Sequence, residues 1–150
     1  MHDPETHLIP VALRAAAGLG PELHVFGSDY PTPDGTCIRD YIHVNDLASA
    51  HIKALDHLAA GKESFAVNVG TGAGASVQEV ISAVEEVTGK RVPRKMGPRR
   101  PGDPPRLVAN PAKAQALLRW KATRGLRDVV ATAWNFMERR PASVVKQSAR

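Results

Sequence analysis

Residues 29–44, DYPTPDGTCIRDYIHV, join a proline-bounded turn to a stretch of alternating apolar and polar side chains. Pro31 and Pro33 fix the backbone angle φ, and Gly35 is free to take the positive φ that tight turns need. From Ile38 to Val44 apolar and polar side chains alternate, which predicts a half-buried strand. The sequence therefore predicts a rigid turn that leads into a strand.

Arg39 lies where this turn meets the predicted strand. A guanidinium group held by a rigid loop can pair two oxygens of an anionic ligand at once. The residue types leave a second interpretation open, in which Arg39 forms a surface ion pair with its neighbour Asp40. Cys37 lies in the same loop, and nothing near it in sequence indicates a nucleophile, so we interpret it as structural.

Length and composition are typical of one globular domain. The chain has 150 residues, of which 43% are hydrophobic and 23% are charged. No apolar run approaches the ~18 residues of a membrane span, and the polar start lacks the pattern of a signal peptide. A single cysteine rules out an internal disulfide, as is usual in the reducing cytoplasm. We therefore expect a cytoplasmic protein that does not bind a membrane.

The formal net charge of +5 is compatible with two kinds of partner. Basic proteins often bind nucleic acid, but the basic residues cluster here only at 91–100 and 139–140. Aromatic residues make up 5% of the chain, too few for a platform on which bases stack. A domain that binds a diphosphate accounts for the charge equally well, so we expect no nucleic acid partner.

Hydrophobic periodicity predicts a series of helices and short strands. The predicted helices run from about His7 to Gly18 or Gly20, from a cap at Asn45 to Gly61, from a capping box at Ser76 to Gly89, from Asn110-Pro111 through Trp120, and from Leu126 to just before Pro141. The predicted strands, besides Ile38–Val44, are Leu23–Phe26, a buried strand Phe65–Val69, a strand within 91–96, and Leu107-Val108. The residues from 142 onward are small, polar and basic, which predicts a disordered tail.

The second predicted helix carries an apolar face that should be buried. The residues on this face are Leu47, Ala50, His51, Ala54, Leu55 and Leu58. We interpret His51 as a packed side chain, because no second metal ligand lies three or four residues further on. No metal site is expected.

A glycine-rich turn, GTGAGA at residues 70–75, separates a predicted strand from a predicted helix. This order is also found in dinucleotide-binding turns, but the Gly-x-Gly-x-x-Gly spacing is absent, as is an acidic residue at the end of the next strand. We therefore interpret these glycines as a tight connection and expect no cofactor-binding residue there.

Four motifs, in the same order, resemble those of the UDP-glucose 4-epimerases of the extended short-chain dehydrogenase/reductase superfamily. They are residues 29–44, PETHLIP at 4–10, NVGTG at 68–72 and PRRPGD at 98–103. The resemblance covers nearly the whole chain and fades after Pro141. It implies an α/β fold, namely the small mixed α+β domain that binds substrate in the C-terminal part of these enzymes. This domain would span residues 1–141, followed by the tail at 142–150.

The resemblance also implies what is missing from the sequence. These enzymes bind NAD with a Gly-x-x-Gly-x-x-Gly turn and take their catalytic base from a Tyr-x-x-x-Lys pair. Neither motif occurs here, because Tyr30 and Tyr41 are followed at that spacing by Asp34 and Asn45. We therefore expect no catalytic residue in this chain, and we expect NAD to be bound by an N-terminal Rossmann half that is absent. The chain alone should bind UDP-glucose or UDP-galactose without converting one to the other.

Ten positions match substrate-binding residues of that family: His7, Leu8, His24, Val25, Phe26, Arg39, Tyr41, Arg100, Asp103 and Leu107. By this match Arg39 and Arg100 clamp the diphosphate, and Asp103 accepts hydrogen bonds from the ribose hydroxyls. The strand at 24–26 holds uracil. From the residue types alone, Asp103 could instead form an ion pair within its own arm, with Arg99 or Arg100.

The remaining matches are more peripheral to the diphosphate. His7 and Leu8 correspond to residues above the nucleotide, and Tyr41 to a tyrosine that lines the nucleotide pocket, although its side chain could simply pack. Leu107 corresponds to the base of the sugar pocket, where its intermediate size leaves open whether N-acetylated sugars enter. The sequence departs from the family at Arg119, where the family usually has glycine between Leu and Trp. This difference concerns the end of a helix and not the chemistry of the site.

Three functional readings follow. The first is the C-terminal part of a UDP-glucose 4-epimerase, an NAD-dependent isomerase of galactose metabolism that can form a homodimer when complete. The second is a part of another nucleotide-sugar epimerase or dehydratase. The third is a binding module that has no catalytic partner. The uninterrupted motif at residues 29–44 favours the first reading.

Overall fold

The structure, a computed structural model, describes residues 5–139, and the predicted tail and the boundary at residue 141 lie outside this part of the chain. Within it, helices alternate with short strands. The helices are α1 (Leu8–Ala16), α2 (Val44–Ala59), α3 (Val77–Thr88), α4 (Ala112–Leu118) and α5 (Leu126–Glu138). The strands are β1 (Leu23–Phe26), β2 (Ile38–Arg39), β3 (Ala75–Ser76), β4 (Arg94–Gly97) and β5 (Arg106–Leu107).

The main core lies between α1, α3, α5 and the parallel pair of β1 and β4. The apolar stripe of α1 supplies Leu13, and α3 supplies Val80 and Ile81, all of them buried. The predicted capping box starts α3, since Ser76 Oγ accepts from the Glu79 N–H and the Glu79 carboxylate accepts from the Ser76 N–H. The predictions of β1, α3 and α5 are confirmed within one or two residues. Helix α1 begins one residue after its predicted start and ends at Ala16, two residues before Gly18, so the alternative end at Gly20 is wrong.

A second sheet, of three short strands, joins the turn of residues 29–37 to the rest of the chain. In it β2 pairs antiparallel with β3 and parallel with β5. A smaller apolar cluster, centred on the buried Trp120, packs α2 against α4. Trp120 follows α4, which ends at Leu118, so the prediction of a longer helix is wrong by two residues. Its indole N–H donates to the Asp46 carbonyl at 3.1 Å, which fixes the start of α2 against this cluster.

The predicted strand Ile38–Val44 is wrong beyond Arg39, because only Ile38 and Arg39 pair with neighbouring strands. The buried side chain of His43 instead caps α2, and its Nδ1 accepts from the Asn45 N–H at 3.0 Å. His43 is thus the cap, and Asn45 already lies in the helix. The alternating side chains beyond Arg39 therefore belong to a loop that leads directly into α2, and not to a strand.

The predicted buried strand Phe65–Val69 is also wrong as a paired strand, since these residues have no strand partner among residues 5–139. Burial nevertheless alternates along them: Phe65, Val67 and Val69 pack against the Trp120 cluster, and Ala66 and Asn68 are exposed. The apolar face predicted for α2 is only partly covered, because Ala50 is buried whereas His51, Leu55 and Leu58 are exposed. None of the helices in the described part of the chain is long and apolar enough to cross a membrane.

Candidate nucleotide-binding site

A cleft of about 550 Å³ opens between the start of α1, strand β1, strand β2 and the arm of residues 98–105. Its lining includes eight of the ten residues predicted from the sequence: Leu8, His24, Val25, Phe26, Arg39, Tyr41, Arg100 and Asp103. The two predicted arginines are 61 positions apart in sequence, and the fold brings both to this one cavity. A cavity of this size falls within the range of small-molecule sites.

The Arg39 side chain is held in a fixed orientation. Its Nη1 donates to the carbonyl oxygens of Ile38 at 2.8 Å and Pro104 at 2.9 Å, and its Nη2 donates to Asp103 Oδ1 at 3.0 Å. A guanidinium carries five N–H donors, so two remain without a partner among residues 5–139. Arg39 is therefore pre-oriented and still able to bind an anion. It does not pair with Asp40, so that alternative is wrong.

Arg100 is held differently, by an aromatic ring. Its guanidinium carbon lies 3.9 Å from the centroid of the Phe26 ring, and it makes no hydrogen bond to any residue that the structure describes. All its donors are thus available to a ligand. Phe26 comes from β1 and Arg100 from the arm, so this contact also closes one side of the cleft.

The arm is fixed to the turn of residues 29–37 by a second arginine. Arg99 Nε donates to Asp29 Oδ1 at 2.7 Å, Arg99 Nη2 donates to the Asp29 carbonyl, and the guanidinium lies over the Tyr30 ring at 4.4 Å. The hydrogen bond with Arg99 lowers the pKa of Asp29. Asp103 pairs with Arg39 of β2 and with neither arginine of the arm, so the alternative of an ion pair within the arm is wrong.

A second cavity begins on the other side of Arg39. It is lined by Arg39, Asp40, Asn68, Leu107, Val108, Ala109 and Asn110. Leu107 thus lies here and outside the first cleft, with 62% of its surface exposed. Of the ten predicted residues His7 also lies outside the cleft: its ring is exposed and its Nδ1 is 2.6 Å from Glu5 Oε1.

Asp40 is a residue of this region that sequence reasoning missed. Its carboxylate accepts from the Thr71 N–H at 2.9 Å, the Gly72 N–H at 3.0 Å and the Ala109 N–H at 3.3 Å. Burial by itself raises the pKa of Asp40, but these hydrogen bonds outweigh it and the pKa is lowered. Asp40 therefore ties the glycine-rich turn to the end of β2. The signal in the sequence was an acidic residue at the end of a strand, together with a glycine-rich turn whose backbone N–H groups need an acceptor.

Tyr41 and Cys37 line the inner part of the cleft. Burial raises the pKa of Tyr41 to about 12, so the phenol is neutral at physiological pH and can donate or accept a hydrogen bond. Cys37 is only 8% exposed. Thr6, Val11 and Glu22, whose contribution the sequence did not indicate, also line the cleft.

The geometry of the site agrees with the comparisons to known proteins. The family model described as GDP-mannose 4,6 dehydratase matches residues 2–133, and the chain belongs to this family. Within it, the chain is similar to the UDP-glucose 4-epimerase of Lacticaseibacillus casei, at 49% identity over 141 residues. That match covers 93% of this chain and 43% of the relative, so the chain spans less than half the length of the protein that it resembles.

Solved structures give the same result and confirm the predicted fold class. The UDP-glucose 4-epimerase of Brucella ovis in complex with NAD superposes with a TM-score of 0.87 at 50% identity, over 91% of this chain and 42% of that one. The enzyme of Stenotrophomonas maltophila with bound NAD and formylated UDP-arabinopyranose has a TM-score of 0.89 at 44% identity, over 99% and 43%. This chain is similar to the C-terminal part of these proteins, as the sequence motifs predicted.

Proposed function

We propose that this chain binds the uridine diphosphate part of UDP-glucose and UDP-galactose in the cleft between β1, β2 and the arm. The observation that carries this proposal is the position of Arg39 and Arg100, two guanidinium groups with unused donors, at the same cavity. Guanidinium suits a diphosphate because its planar fork of donors can bind two oxygens together. Uracil would lie against strand residues 24–26, and the sugar would extend past Arg39 towards Leu107.

Asp103 has two roles in this proposal. Without ligand it accepts from Arg39, as the structure describes. Its other carboxylate oxygen can accept from a ribose hydroxyl while Oδ1 keeps Arg39 in place. The same side chain would then hold the clamp and select a ribose-containing ligand.

For the complete protein we propose the NAD-dependent interconversion of UDP-glucose and UDP-galactose in the cytoplasm, by a homodimer. The relatives named above are UDP-glucose 4-epimerases by name, and two of their structures contain NAD. The residues of this chain do not fit NAD, because they include neither the glycine turn nor the Tyr-x-x-x-Lys pair that the resemblance requires. NAD and the catalytic base would be supplied by the part of the protein that precedes this one in the relatives.

Titration calorimetry and thermal unfolding of this chain test the proposal. UDP and UDP-glucose should bind with one site per chain and raise the Tm, since a ligand of the native state stabilises it by mass action. NAD⁺ should do neither. Equal shifts with UDP and NAD⁺, or no binding of UDP, would contradict the proposal. UDP-N-acetylglucosamine in the same titration measures whether Leu107 admits an N-acetylated sugar.

A further inference from the structure

Arg99 precedes Arg100 in the chain but lies outside the cleft, and it is held by three contacts of its own. Its Nε donates to Asp29 Oδ1 at 2.7 Å, and its Nη2 donates to the Asp29 carbonyl oxygen. Its guanidinium carbon lies 4.4 Å from the centroid of the Tyr30 ring. Arg99 is not among the residues that line the cleft, whereas Arg100 and Asp103 both line it. Donors of Arg99 are thus used within the protein, and those of Arg100 are not.

The ring under Arg99 is part of a closely packed stack that has no room for a further side chain. Tyr30 is buried, with 4% of its surface exposed. A Cβ built on Gly27, whose φ is 82°, would lie 2.4 Å from Tyr30 Cε2 and 2.9 Å from Arg99 Cγ. The Gly27 N–H also donates to the Gly97 carbonyl at 2.9 Å, which joins the end of β1 to the residue before the arm. The contact of Arg99 with the turn is therefore built into the packing of these elements.

The arm of residues 98–105 is attached at its two ends and, between them, by Arg99. At its far end, donors from β2 bind the carbonyl oxygens of Pro104 at 2.9 Å and Pro105 at 2.8 Å. Between residues 98 and 102, every hydrogen bond to a described residue outside the arm comes from Arg99. Because Arg99 and Arg100 are adjacent, the position of Arg100 depends on where Arg99 is fixed.

We propose that Arg99 is a positioning residue of the nucleotide site, which touches no ligand and holds the arm so that the Arg100 guanidinium lies in the cleft. The inference rests on the proposed function, since the anion that Arg100 meets is the diphosphate. An exposed ion pair alone contributes little. Arg99 adds a bond to a backbone carbonyl and the face of Tyr30, and together these contacts order the arm before a ligand arrives.

The effect of Arg99 is expected at the diphosphate and not at the nucleoside. Asp103, the proposed partner of the ribose, keeps a separate attachment through its hydrogen bond with Arg39 at 3.0 Å. Loss of the Arg99 side chain therefore frees Arg100 and leaves Asp103 in place. Arg99→Ala should weaken UDP by about fivefold, the cost of ordering one long side chain on binding, and should change the affinity for uridine by less than about twofold.

A double-mutant cycle in titration calorimetry tests whether Arg99 acts through Arg100. In the Arg100→Ala background, Arg99→Ala should change UDP affinity by less than about twofold, because its target is already absent. Equal losses in the two backgrounds would mean that Arg99 acts independently and would overturn the proposal. Arg91→Ala removes the same charge from an exposed site outside the cleft and should leave UDP affinity within about twofold.

Tyr30→Phe is the conservative variant for the ring. The Tyr30 hydroxyl is buried and has no hydrogen-bond partner among the residues that the structure describes, so its removal leaves the surface under Arg99 unchanged. Tyr30→Phe should keep the UDP affinity of the parent and the full fivefold effect of Arg99→Ala. Loss of UDP affinity in Tyr30→Phe would show that the hydroxyl, and not the ring face, supports the arm, and would contradict this part of the proposal.

A measurement without ligand separates this inference from the proposed function. Trypsin cleaves after arginine, and the bond between Arg99 and Arg100 lies in the arm. Asp29→Ala removes an acceptor of Arg99 from a side chain that is 74% exposed, and it should speed cleavage at this bond by about threefold or more. Cleavage after Arg119, an exposed residue remote in sequence, should keep its rate and reports on general unfolding.

An unchanged rate at the bond between Arg99 and Arg100 in Asp29→Ala would overturn the proposal, whether or not UDP binds. Equal acceleration after Arg119 would also overturn it, because the contact would then stabilise the whole fold and not the arm. Failure of the parent chain to bind UDP would count against the proposed function, and selective cleavage of the arm in Asp29→Ala would still support its attachment by Arg99.

Discussion

Two arginines contribute to the candidate site in physically different ways. Arg39 is bound to Ile38, Pro104 and Asp103, so its side chain is ordered before a ligand arrives. Arg100 lies over the face of Phe26, and its side chain makes no hydrogen bond to any residue between 5 and 139. The first should contribute to affinity through pre-orientation, and the second through new hydrogen bonds formed on binding.

Arg39→Ala and Arg100→Ala should each weaken UDP by about 1.5–3 kcal/mol, the range for hydrogen bonds that involve a charged group. The two variants should differ in stability. Arg39→Ala removes the donor to Asp103 and to the carbonyls of Ile38 and Pro104 and should lower the unfolding free energy, whereas Arg100→Ala loses no hydrogen bond to a described residue. Calorimetry and denaturant unfolding measure the two effects. Arg91→Ala, an exposed arginine outside the cleft, is the control and should change neither. Unchanged UDP affinity in both cleft variants would contradict the proposal that these two arginines bind the diphosphate.

Arg119 is a residue in a conformation that its type does not favour. It ends α4 with φ 48° and ψ 40°, the left-handed region, and it is the one non-glycine residue there in the described part of the chain. Its side chain is exposed and makes no hydrogen bond to a described residue. The family's glycine at this position is thus explained by backbone geometry and not by ligand binding.

Arg119→Gly should raise the unfolding free energy by about 0.5–1 kcal/mol, because relief of the left-handed strain exceeds the extra chain entropy that glycine adds to the unfolded state. Chemical denaturation monitored by circular dichroism measures the change. Arg119→Ala removes the same side chain but keeps the strain, so it should bring no gain. A gain of equal size with alanine would show that the side chain, and not the backbone, was responsible.

At the scale of elements, the turn of residues 29–37 can close only because a glycine stands at position 35. Gly35 has φ 76°, and a Cβ built on it would lie 2.2 Å from the Ser28 carbonyl oxygen. The Tyr30 N–H donates to the Gly35 carbonyl at 2.9 Å, and Asp34 accepts from the side chains of Thr36 and Ser76. The turn is therefore closed on itself and attached to the start of α3.

Gly35→Ala and Gly18→Ala separate backbone strain from steric conflict. Gly18 has φ 71° and open space around a Cβ, so alanine there should cost about 1 kcal/mol of unfolding free energy for the backbone alone. At Gly35 the collision with a main-chain oxygen should add about 1–3 kcal/mol. Thermal unfolding of both variants measures the difference. Equal losses would mean that the turn relaxes around the new methyl group.

At the scale of the molecule, buried and hydrogen-bonded carboxylates connect separate elements. Asp46 at the start of α2 is 2% exposed and accepts from the Thr123 N–H at 3.0 Å, the Arg124 N–H at 2.9 Å and Arg124 Nη1 at 2.6 Å. Burial by itself raises the pKa of Asp46, but these hydrogen bonds outweigh burial, and the pKa is lowered from its ordinary value. Asp34 and Asp40 have pKa values lowered in the same direction, by hydrogen bonds that outweigh burial.

The sign of the resulting pH dependence follows from linkage. A carboxyl group whose pKa is lower in the folded state contributes stability that is present above about pH 4 and is lost as the pH falls through the folded pKa. We therefore expect the Tm to fall steadily as the pH is lowered from about 5 to 2. Asp46→Asn should lower stability at pH 7 by about 1–3 kcal/mol and flatten this dependence. Asp56→Asn, exposed on the same helix, should leave the curve unchanged. An unchanged slope in Asp46→Asn would assign the acid sensitivity to other groups.

The sequence by itself determined the parts whose signals are local. The capping box at Ser76 and the end of α3 at Gly89 each depend on residues within one or two turns, and both are found as predicted. The motif order also identified the class of fold and eight of the residues that line the cleft.

Only the tertiary structure decided the features that depend on distant partners. It ended β2 at Arg39, because the buried ring of His43 caps α2, and it paired Asp103 with Arg39 and Arg99 with Asp29. It also left residues 65–69 without a strand partner, although their pattern is that of a strand. An alternating pattern records which side chains are buried, but hydrogen bonding between strands requires a second segment at the right distance. That requirement is met or not by the three-dimensional arrangement alone.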